Sequence, residues 1–174
     1  MLRRGLILAL LAAFAFPAGA VATPSQSEAL QRMTTLEELV LREVNAVRAQ
    51  RGMQALSPSS TLSRAAVFHT RSMASAGYFS HTSHDGTSFS KRLTRFYAAR
   101  SRVWTVGENL ATFGGAPPTA KAVVAAWMAS PPHRANLLRP QFREAGIAVF
   151  HHPAAGGVFG GLPTWVITLD VGRR

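Results

Sequence analysis

The stretch that decides the fold is residues 146–169, GIAVFHHPAAGGVFGGLPTWVITL. Runs of apolar, β-branched and aromatic residues at 146–150 and 165–169 flank a glycine-rich connection. Two such runs separated by turn residues are typical of a β-hairpin, whose strands are antiparallel. The end of the chain is therefore predicted to contribute two neighbouring strands, and a further strand is indicated near residues 107–112.

The residues before this hairpin are patterned as helices. Thr35 and Glu38 form a capping box, and apolar residues then recur at three- and four-residue steps until Gly52. Similar spacing predicts further helices over residues 58–76, 88–96 and 119–130, and a turn of helix over 133–138. Helices followed by strands within one domain predict an α+β fold in which helices cover a central sheet.

Composition limits the class of protein. The chain has 174 residues, of which 47% are hydrophobic and 16% are charged, and this suits one domain with a packed core. The absence of cysteine excludes disulfide bonds, cysteine-based zinc sites and a thiol nucleophile. A formal net charge of +11 points to anionic partners.

The first residues have the pattern of an export signal. Two arginines precede an apolar run from Leu6 to Phe16, and Pro17 and small residues up to Ala22 follow it. The run is shorter than the roughly 20 residues that span a bilayer, so an uncleaved anchor is the less favoured alternative.

The predicted organisation is therefore a signal peptide over 1–22, a flexible lead-in over 23–34 and one folded domain over 35–174, in a secreted or periplasmic protein. Export argues against nucleic acid as a partner despite the positive charge. No later stretch is long and apolar enough to cross a membrane, so no transmembrane segment is expected after signal cleavage.

The candidates for chemistry are histidines and carboxylates. Glu108 stands between apolar residues in a stretch without helical period, so it is either a paired structural group or part of a site. His69 falls on the apolar face of the second helix and is predicted to be a hydrogen-bonded core residue. His151 and His152 are predicted to be exposed in the hairpin loop.

Two other histidines are better placed for a site. His81 follows Tyr78 and Phe79, whose rings would hold its loop against the core. His133 follows a serine and two prolines, which indicate the start of a helix, where the positive end of the helix dipole lowers the histidine pKa and favours the neutral, metal-binding imidazole. The alternative that both are ordinary loop histidines stays open, because no short motif joins them.

A basic segment runs from Lys91 to Arg102, and no acid occurs between Asp85 and Glu108. A solvated helix face is the favoured interpretation, and contact with an anionic polymer is the alternative. Aromatic residues are too sparse in this segment to indicate nucleic-acid binding.

Six short motifs follow one another along residues 36–171. They lie at 44–56, 73–81, 85–93, 107–110, 127–138 and 146–148, and they include Tyr78-Phe79-Ser80-His81, Gly107-Glu108-Asn109-Leu110 and Ser130-Pro131-Pro132-His133. In this order and spacing the motifs resemble the CAP superfamily of cysteine-rich secretory, antigen 5 and pathogenesis-related proteins. The resemblance is to its bacterial, cysteine-free, SCP-like branch.

The resemblance implies a three-layer α-β-α sandwich with a central antiparallel sheet and a groove beside it. Family members often place two histidines and two glutamates in this groove, and the histidines can hold a divalent cation such as zinc. His81 and His133 match the histidine pair, and Glu108 matches one glutamate. Ser130 stands where the second glutamate usually lies, so Glu108 and Ser130 are the expected groove-lining residues.

The missing carboxylate has two expected consequences. A zinc ion held by two imidazoles and one carboxylate keeps an open position for water, and it should bind more weakly than in a four-group site. Glu108 also lacks the like charge that would raise its pKa, so it should be ionised at neutral pH as a metal ligand, an orienter of histidine or a base.

Three functions follow from these residues. The favoured one is a secreted, non-enzymatic binding module whose groove takes an envelope polymer, a lipid or a protein, with or without a divalent metal. The second is a metal-dependent hydrolase in which His81 and His133 hold zinc and Glu108 activates its bound water, these three being the catalytic residues. The third is a ligand-free hydrogen-bond network of the same residues, which would tie the loop 78–87 and the strand of Glu108 to the fourth helix.

Overall fold

The computed structural model describes residues 35–99 and 103–174. The predicted signal peptide over 1–22 and the lead-in over 23–34 lie outside the described residues. Within the described part of the chain, no helix combines the length and apolar character needed to cross a membrane.

Four strands form the middle layer of the fold. They are β1 (Ser57–Pro58), β2 (Thr105–Gly114), β3 (Glu144–Ala155) and β4 (Leu162–Arg173). Their order across the sheet is β1-β3-β4-β2, with antiparallel pairing of β4 to both of its neighbours and a two-residue parallel pairing of β1 with β3. The predicted hairpin is β3 and β4, and the sheet is antiparallel apart from its short edge strand.

The hairpin is longer than its two apolar runs. The prediction that His151 and His152 lie in the loop was wrong, because both belong to β3, opposite Trp165 and Thr164 of β4. The ring of His151 stacks on Trp165 with centroids 4.5 Å apart. Cross-strand side-chain contacts of this kind stabilise a ladder beyond the point where the apolar pattern ends.

Five α-helices surround the sheet in the described residues. They are α1 (Leu36–Ala49), α2 (Ser60–Ala76), α3 (Phe89–Thr94), α4 (Ala120–Ala129) and α5 (Pro131–Leu137). The oxygen of Thr35 accepts a hydrogen bond from the Glu38 amide, as the capping box predicts. α5 begins at Pro131 and not at residue 133, since a proline fits the first turn of a helix, where its missing N–H costs nothing.

The two faces of the sheet are covered by different helices, which makes a three-layer α-β-α sandwich as predicted. One face packs on α1 and α4 through a core that includes Val44, Trp127 and Ile167. The other face packs on α2 through Met73, Leu110 and Val166. At the α2 contact a side chain on Gly146 would overlap the backbone of α2, so glycine allows the helix to lie close to the sheet.

Candidate functional site

Three distant segments bring the predicted site residues together. His81 Nδ1 lies 2.8 Å from Glu108 Oε1, and the ring centroids of His81 and His133 are 6.2 Å apart. His81 comes from the loop after α2, Glu108 from β2 and His133 from α5. The loop is held by Tyr78, whose hydroxyl lies 3.0 Å from the hydroxyl of Ser72 on α2.

Two asparagines fix α5 against β2. The side-chain amide of Asn109 donates to the carbonyl oxygen of His133 at 3.0 Å. The amide of Asn136 donates to the carbonyl oxygen of Glu108 at 3.1 Å and to the side-chain oxygen of Asn109 at 3.0 Å. These bonds set the distance between the strand that carries Glu108 and the helix that carries His133.

Arg92 is a site residue that the sequence analysis missed. Its guanidinium pairs with Glu108 Oε2, and it donates to the carbonyl oxygen of His81 at 3.0 Å and to the hydroxyl of Ser83 at 2.8 Å. The interpretation of the basic segment as a solvated face was wrong for Arg92, which is fully buried. A buried carboxylate needs a buried partner. The signal in the sequence was that Arg92 lies in a stretch without acids, so its partner had to come from another segment.

Glu108 is ionised, and each of its carboxylate oxygens has a partner. Burial raises the pKa of Glu108, but the hydrogen bond from His81 and the charge of Arg92 outweigh burial, so the net pKa lies below its ordinary value. Oε1 faces His81 and Oε2 faces Arg92, and the side chain has no exposed surface. Among the three expected roles, this geometry fits the orienter of a histidine, because both oxygens are buried and each already faces a partner.

The hydrogen bond to Glu108 orients the ring of His81. An ionised carboxylate only accepts, so Nδ1 of His81 carries a proton and donates it to Glu108, and the lone pair of the neutral ring is then on Nε2. A carboxylate bonded to one ring nitrogen is the usual way to orient a histidine whose other nitrogen binds a metal. The side chain of His81 is 49% exposed, so a ligand from solvent can reach the ring.

His133 has a lowered pKa, in the direction that the sequence analysis expects. The cause differs, because burial is the main influence on the pKa of His133 and the neighbouring His81 is the second. Both effects disfavour the imidazolium and favour the neutral ring that binds metals.

Asp170 is a second buried group near the site that the sequence did not indicate. Asp170 of β4 stands opposite Glu108 of β2 and its side chain is wholly buried; among residues 35–99 and 103–174 no group donates a hydrogen bond to either oxygen, and its one side-chain hydrogen bond is to Glu108, which requires Asp170 to carry a proton. Burial and the charge on Glu108 raise the pKa of Asp170 well above its ordinary value, against an opposing effect of Arg92. The molecule therefore does have a second carboxyl group near Glu108, but it is a buried group on β4 whose raised pKa favours the protonated form, and not a groove residue at position 130.

His69 completes the buried cluster. Its Nε2 donates to the carbonyl oxygen of Ser80 at 2.8 Å, which confirms the predicted hydrogen-bonded core histidine. The same nitrogen lies 4.0 Å from Glu108 Oε1. Burial is the main reason that the pKa of His69 is lowered.

A groove of about 320 Å³ opens beside these residues. Its walls include Phe79, Leu110, Phe113, Trp127, Ser130 and His133. Ser130 lines this groove, whereas Glu108 does not, because its side chain is buried. The groove is thus mostly apolar, with imidazole and hydroxyl groups at one end.

The residues present fit a metal only in part. Within the described ranges, no group of three histidine, aspartate or glutamate side chains is arranged to hold an ion. His81 and His133 supply two imidazoles, and Glu108, the third group that the sequence offered, pairs with Arg92 through Oε2. A cation here would therefore have two protein ligands.

Comparison with known proteins identifies the family. The model of the cysteine-rich secretory protein family, CAP, matches residues 41–167, which is most of the chain. The chain belongs to the CAP family. A curated relative, the uncharacterized protein YkwD of Bacillus subtilis (strain 168), is 32% identical over 131 residues, which are 75% of this chain and 49% of that protein. The chain thus spans about half the length of this relative.

Solved structures show the same fold. An extracellular SCP-domain protein of Bacillus anthracis aligns over 88% of this chain and 45% of its own, with a TM-score of 0.63 and 22% identity. An outer surface protein of Borrelia burgdorferi aligns over 79% of this chain and 91% of its own, with a TM-score of 0.61 and 19% identity. At these identities the likeness shows the α-β-α architecture of a CAP domain and no more.

Proposed function

We propose that this CAP domain is an extracellular binding module whose groove takes the apolar part of a ligand while His81 and His133 bind its polar part or a divalent cation. The observation that carries the proposal is the fixed His81 imidazole, oriented by Glu108 and 6.2 Å from the ring of His133. Solved relatives include an extracellular and an outer surface protein, which supports secretion.

The groove has the composition of a binding site. Ligand sites are mostly apolar concavities with a few convergent polar groups. Here Phe79, Phe113 and Trp127 supply apolar surface, and His133 and Ser130 supply polar atoms. The indole N–H of Trp127 donates to the Leu110 carbonyl oxygen at 3.0 Å, so the ring is held rigid as part of the wall.

Zinc is the cation that suits the two imidazoles best. It accepts neutral histidine nitrogens and tolerates open coordination positions, which here would be left to water or to a group of the ligand. With two protein ligands the ion would be held weakly and would respond strongly to loss of either histidine. Glu108 acts through His81, since its carboxylate fixes the ring and touches nothing in the groove.

The two other functions account for less of this geometry. A hydrolase needs a base beside the metal-bound water, and both oxygens of Glu108 are buried and already paired. A purely structural network accounts for the contacts of His81, Glu108 and Arg92, but it gives no role to the apolar groove or to the half-exposed ring of His81.

Zinc titration of the purified protein by calorimetry tests the proposal. The unchanged protein should bind zinc, and His81→Ala and His133→Ala should each weaken binding at least tenfold. His152→Ala, on the hairpin, is the matched control and should leave the affinity unchanged. Equal zinc affinity in the wild type and the three variants would show that the two histidines do not hold the metal. If the wild type does not bind zinc at all, only the apolar groove remains of the proposal.

A further inference from the structure

The outer face of α2 is apolar and exposed. Val67 is 39% exposed and Phe68 is 50% exposed. The ring of Phe68 lies 5.7 Å from that of Phe96, which follows α3. An open groove of about 520 Å³ lies along these side chains. A contiguous exposed apolar patch on a folded domain often marks a site of contact with a membrane, a ligand or another protein, whereas single exposed apolar residues do not.

Two arginines lie at the ends of the same groove. Arg64 and Arg71 both line it and both are exposed. They are seven residues apart on α2, which places their backbones about 10 Å apart along the helix axis. In the described part of the chain, neither guanidinium forms an ion pair with a carboxylate within 4.0 Å.

Two acids of α1 lie near this face. Glu37 lines a neighbouring cavity together with Arg71, and its Oε1 accepts a hydrogen bond from the Val149 amide at 3.2 Å. Glu38 lines a cavity that shares Ser63 with the groove. Arg71 lies 5.8 Å from the centroid of the Phe150 ring. Since no described carboxylate pairs with Arg64 or Arg71, both guanidinium groups can pair with an anion from outside the molecule.

The surrounding sequence is strongly cationic. Between Glu43 and Glu108 only Asp85 is acidic, whereas the same stretch contains eight arginines and one lysine. Neither α2 nor α3 contains an acid. An apolar stripe edged by arginines on a helix is the pattern of a surface that lies in the headgroup region of an anionic membrane.

We propose that the face formed by Arg64, Val67, Phe68, Arg71 and Phe96 docks on the surface of an anionic phospholipid bilayer. The apolar side chains enter the boundary between headgroups and acyl chains, and the two guanidinium groups pair with lipid phosphates. Arginine suits this role because its planar fork binds phosphate through two hydrogen bonds. Because the two backbones are about 10 Å apart along the helix axis, each guanidinium can pair with its own headgroup on a surface. The proposal does not involve His81 or His133.

Vesicle flotation with the purified protein tests the proposal. Vesicles of equal parts phosphatidylglycerol and phosphatidylcholine should bind the protein, and vesicles of phosphatidylcholine alone should not. The double variant Arg64→Gln/Arg71→Gln should weaken binding at least tenfold. The control Arg42→Gln/Lys121→Gln removes the same charge from α1 and α4, on the other side of the sheet, and should weaken binding much less.

The apolar contribution has its own matched pair. Val67→Ser should weaken binding several-fold, whereas Val158→Ser, at a valine 69% exposed in the hairpin connection, should have no effect. Equal losses in the two charge variants, or no effect of Val67→Ser, would overturn the proposal. So would a result in which Arg64→Gln/Arg71→Gln reduces binding to soluble dextran sulfate but leaves vesicle binding unchanged, because that outcome assigns the arginines to an anionic polymer.

Discussion

Replacement of Asp170 by asparagine tests the charge assignment at the centre of the buried cluster. The Asp170 side chain is wholly buried with no hydrogen-bond donor to its oxygens in the described ranges, and burial raises its pKa well above the ordinary value of 3.8. A group that holds its proton more tightly when folded stabilises the fold at low pH. That stability is lost as the pH rises from 3.8 toward the folded-state pKa.

Asparagine keeps the shape of the protonated acid and removes its titration. Asp170→Asn should therefore match the wild type near pH 3.8 and become progressively more stable than it as the pH rises. The difference in the free energy of unfolding grows by about 1.4 kcal/mol for each unit by which the pKa is raised. In a domain of this size each kcal/mol corresponds to about 2–4 °C in Tm.

Thermal unfolding followed by circular dichroism between pH 3.5 and 7.5 measures this difference. Asp85→Asn is the control of opposite sign, because a hydrogen bond from the Thr87 amide lowers the pKa of the exposed Asp85, and the variant should lose stability above pH 3.8. If Asp170→Asn were less stable than the wild type at neutral pH, Asp170 would be ionised and paired with Arg92. The assignment of a neutral acid would then be refuted.

Three other substitutions address the site and the fold. Glu108→Gln should weaken zinc binding about 10- to 100-fold in calorimetry, since Glu108 orients His81 and does not touch the ion; unchanged affinity would contradict this role. Arg92→Met should cost about 3–5 kcal/mol in urea unfolding, because it leaves the Glu108 carboxylate buried without its cation, whereas Arg42→Met should cost little. Gly146→Ala should lower the Tm strongly because a Cβ would overlap the backbone of α2, and Gly156→Ala, which meets no atom within 4 Å, should not; equal Tm values would contradict the close packing of α2 on β3.

The fold was predictable where its signals are local. The capping box at Thr35, the left-handed Gly77 after α2 and the two apolar runs of the hairpin are each readable from a few neighbouring residues. The hairpin boundaries were not predictable in this way. The ladder continues through His151, whose ring stacks on Trp165, a residue 14 positions later in the chain. Pairing between strands decides such boundaries, and periodicity along one strand does not reveal it.

The site was predictable in membership but not in roles. His81, Glu108 and His133 stand in the family motifs, so their residue types were available from the sequence. The role of Glu108 depends on Arg92 and Asp170, which come from α3 and β4 and meet it only in the folded chain. For the same reason the lowered pKa of His133 was expected from the helix start, whereas burial and the nearness of His81 cause it.

The two asparagines that join α5 to β2 separate the frame of the site from its chemistry. Asn109 and Asn136 donate to main-chain oxygens of His133 and Glu108, so the join does not depend on which side chains those positions carry. The side chain of Ser130, directly before α5, makes no capping hydrogen bond, so the start of this helix does not depend on a serine there. A protein that keeps Asn109 and Asn136 can therefore change the serine, glutamate or histidine side chains around the groove without losing the contact between α5 and β2. This holds both for natural variants and for engineered ones.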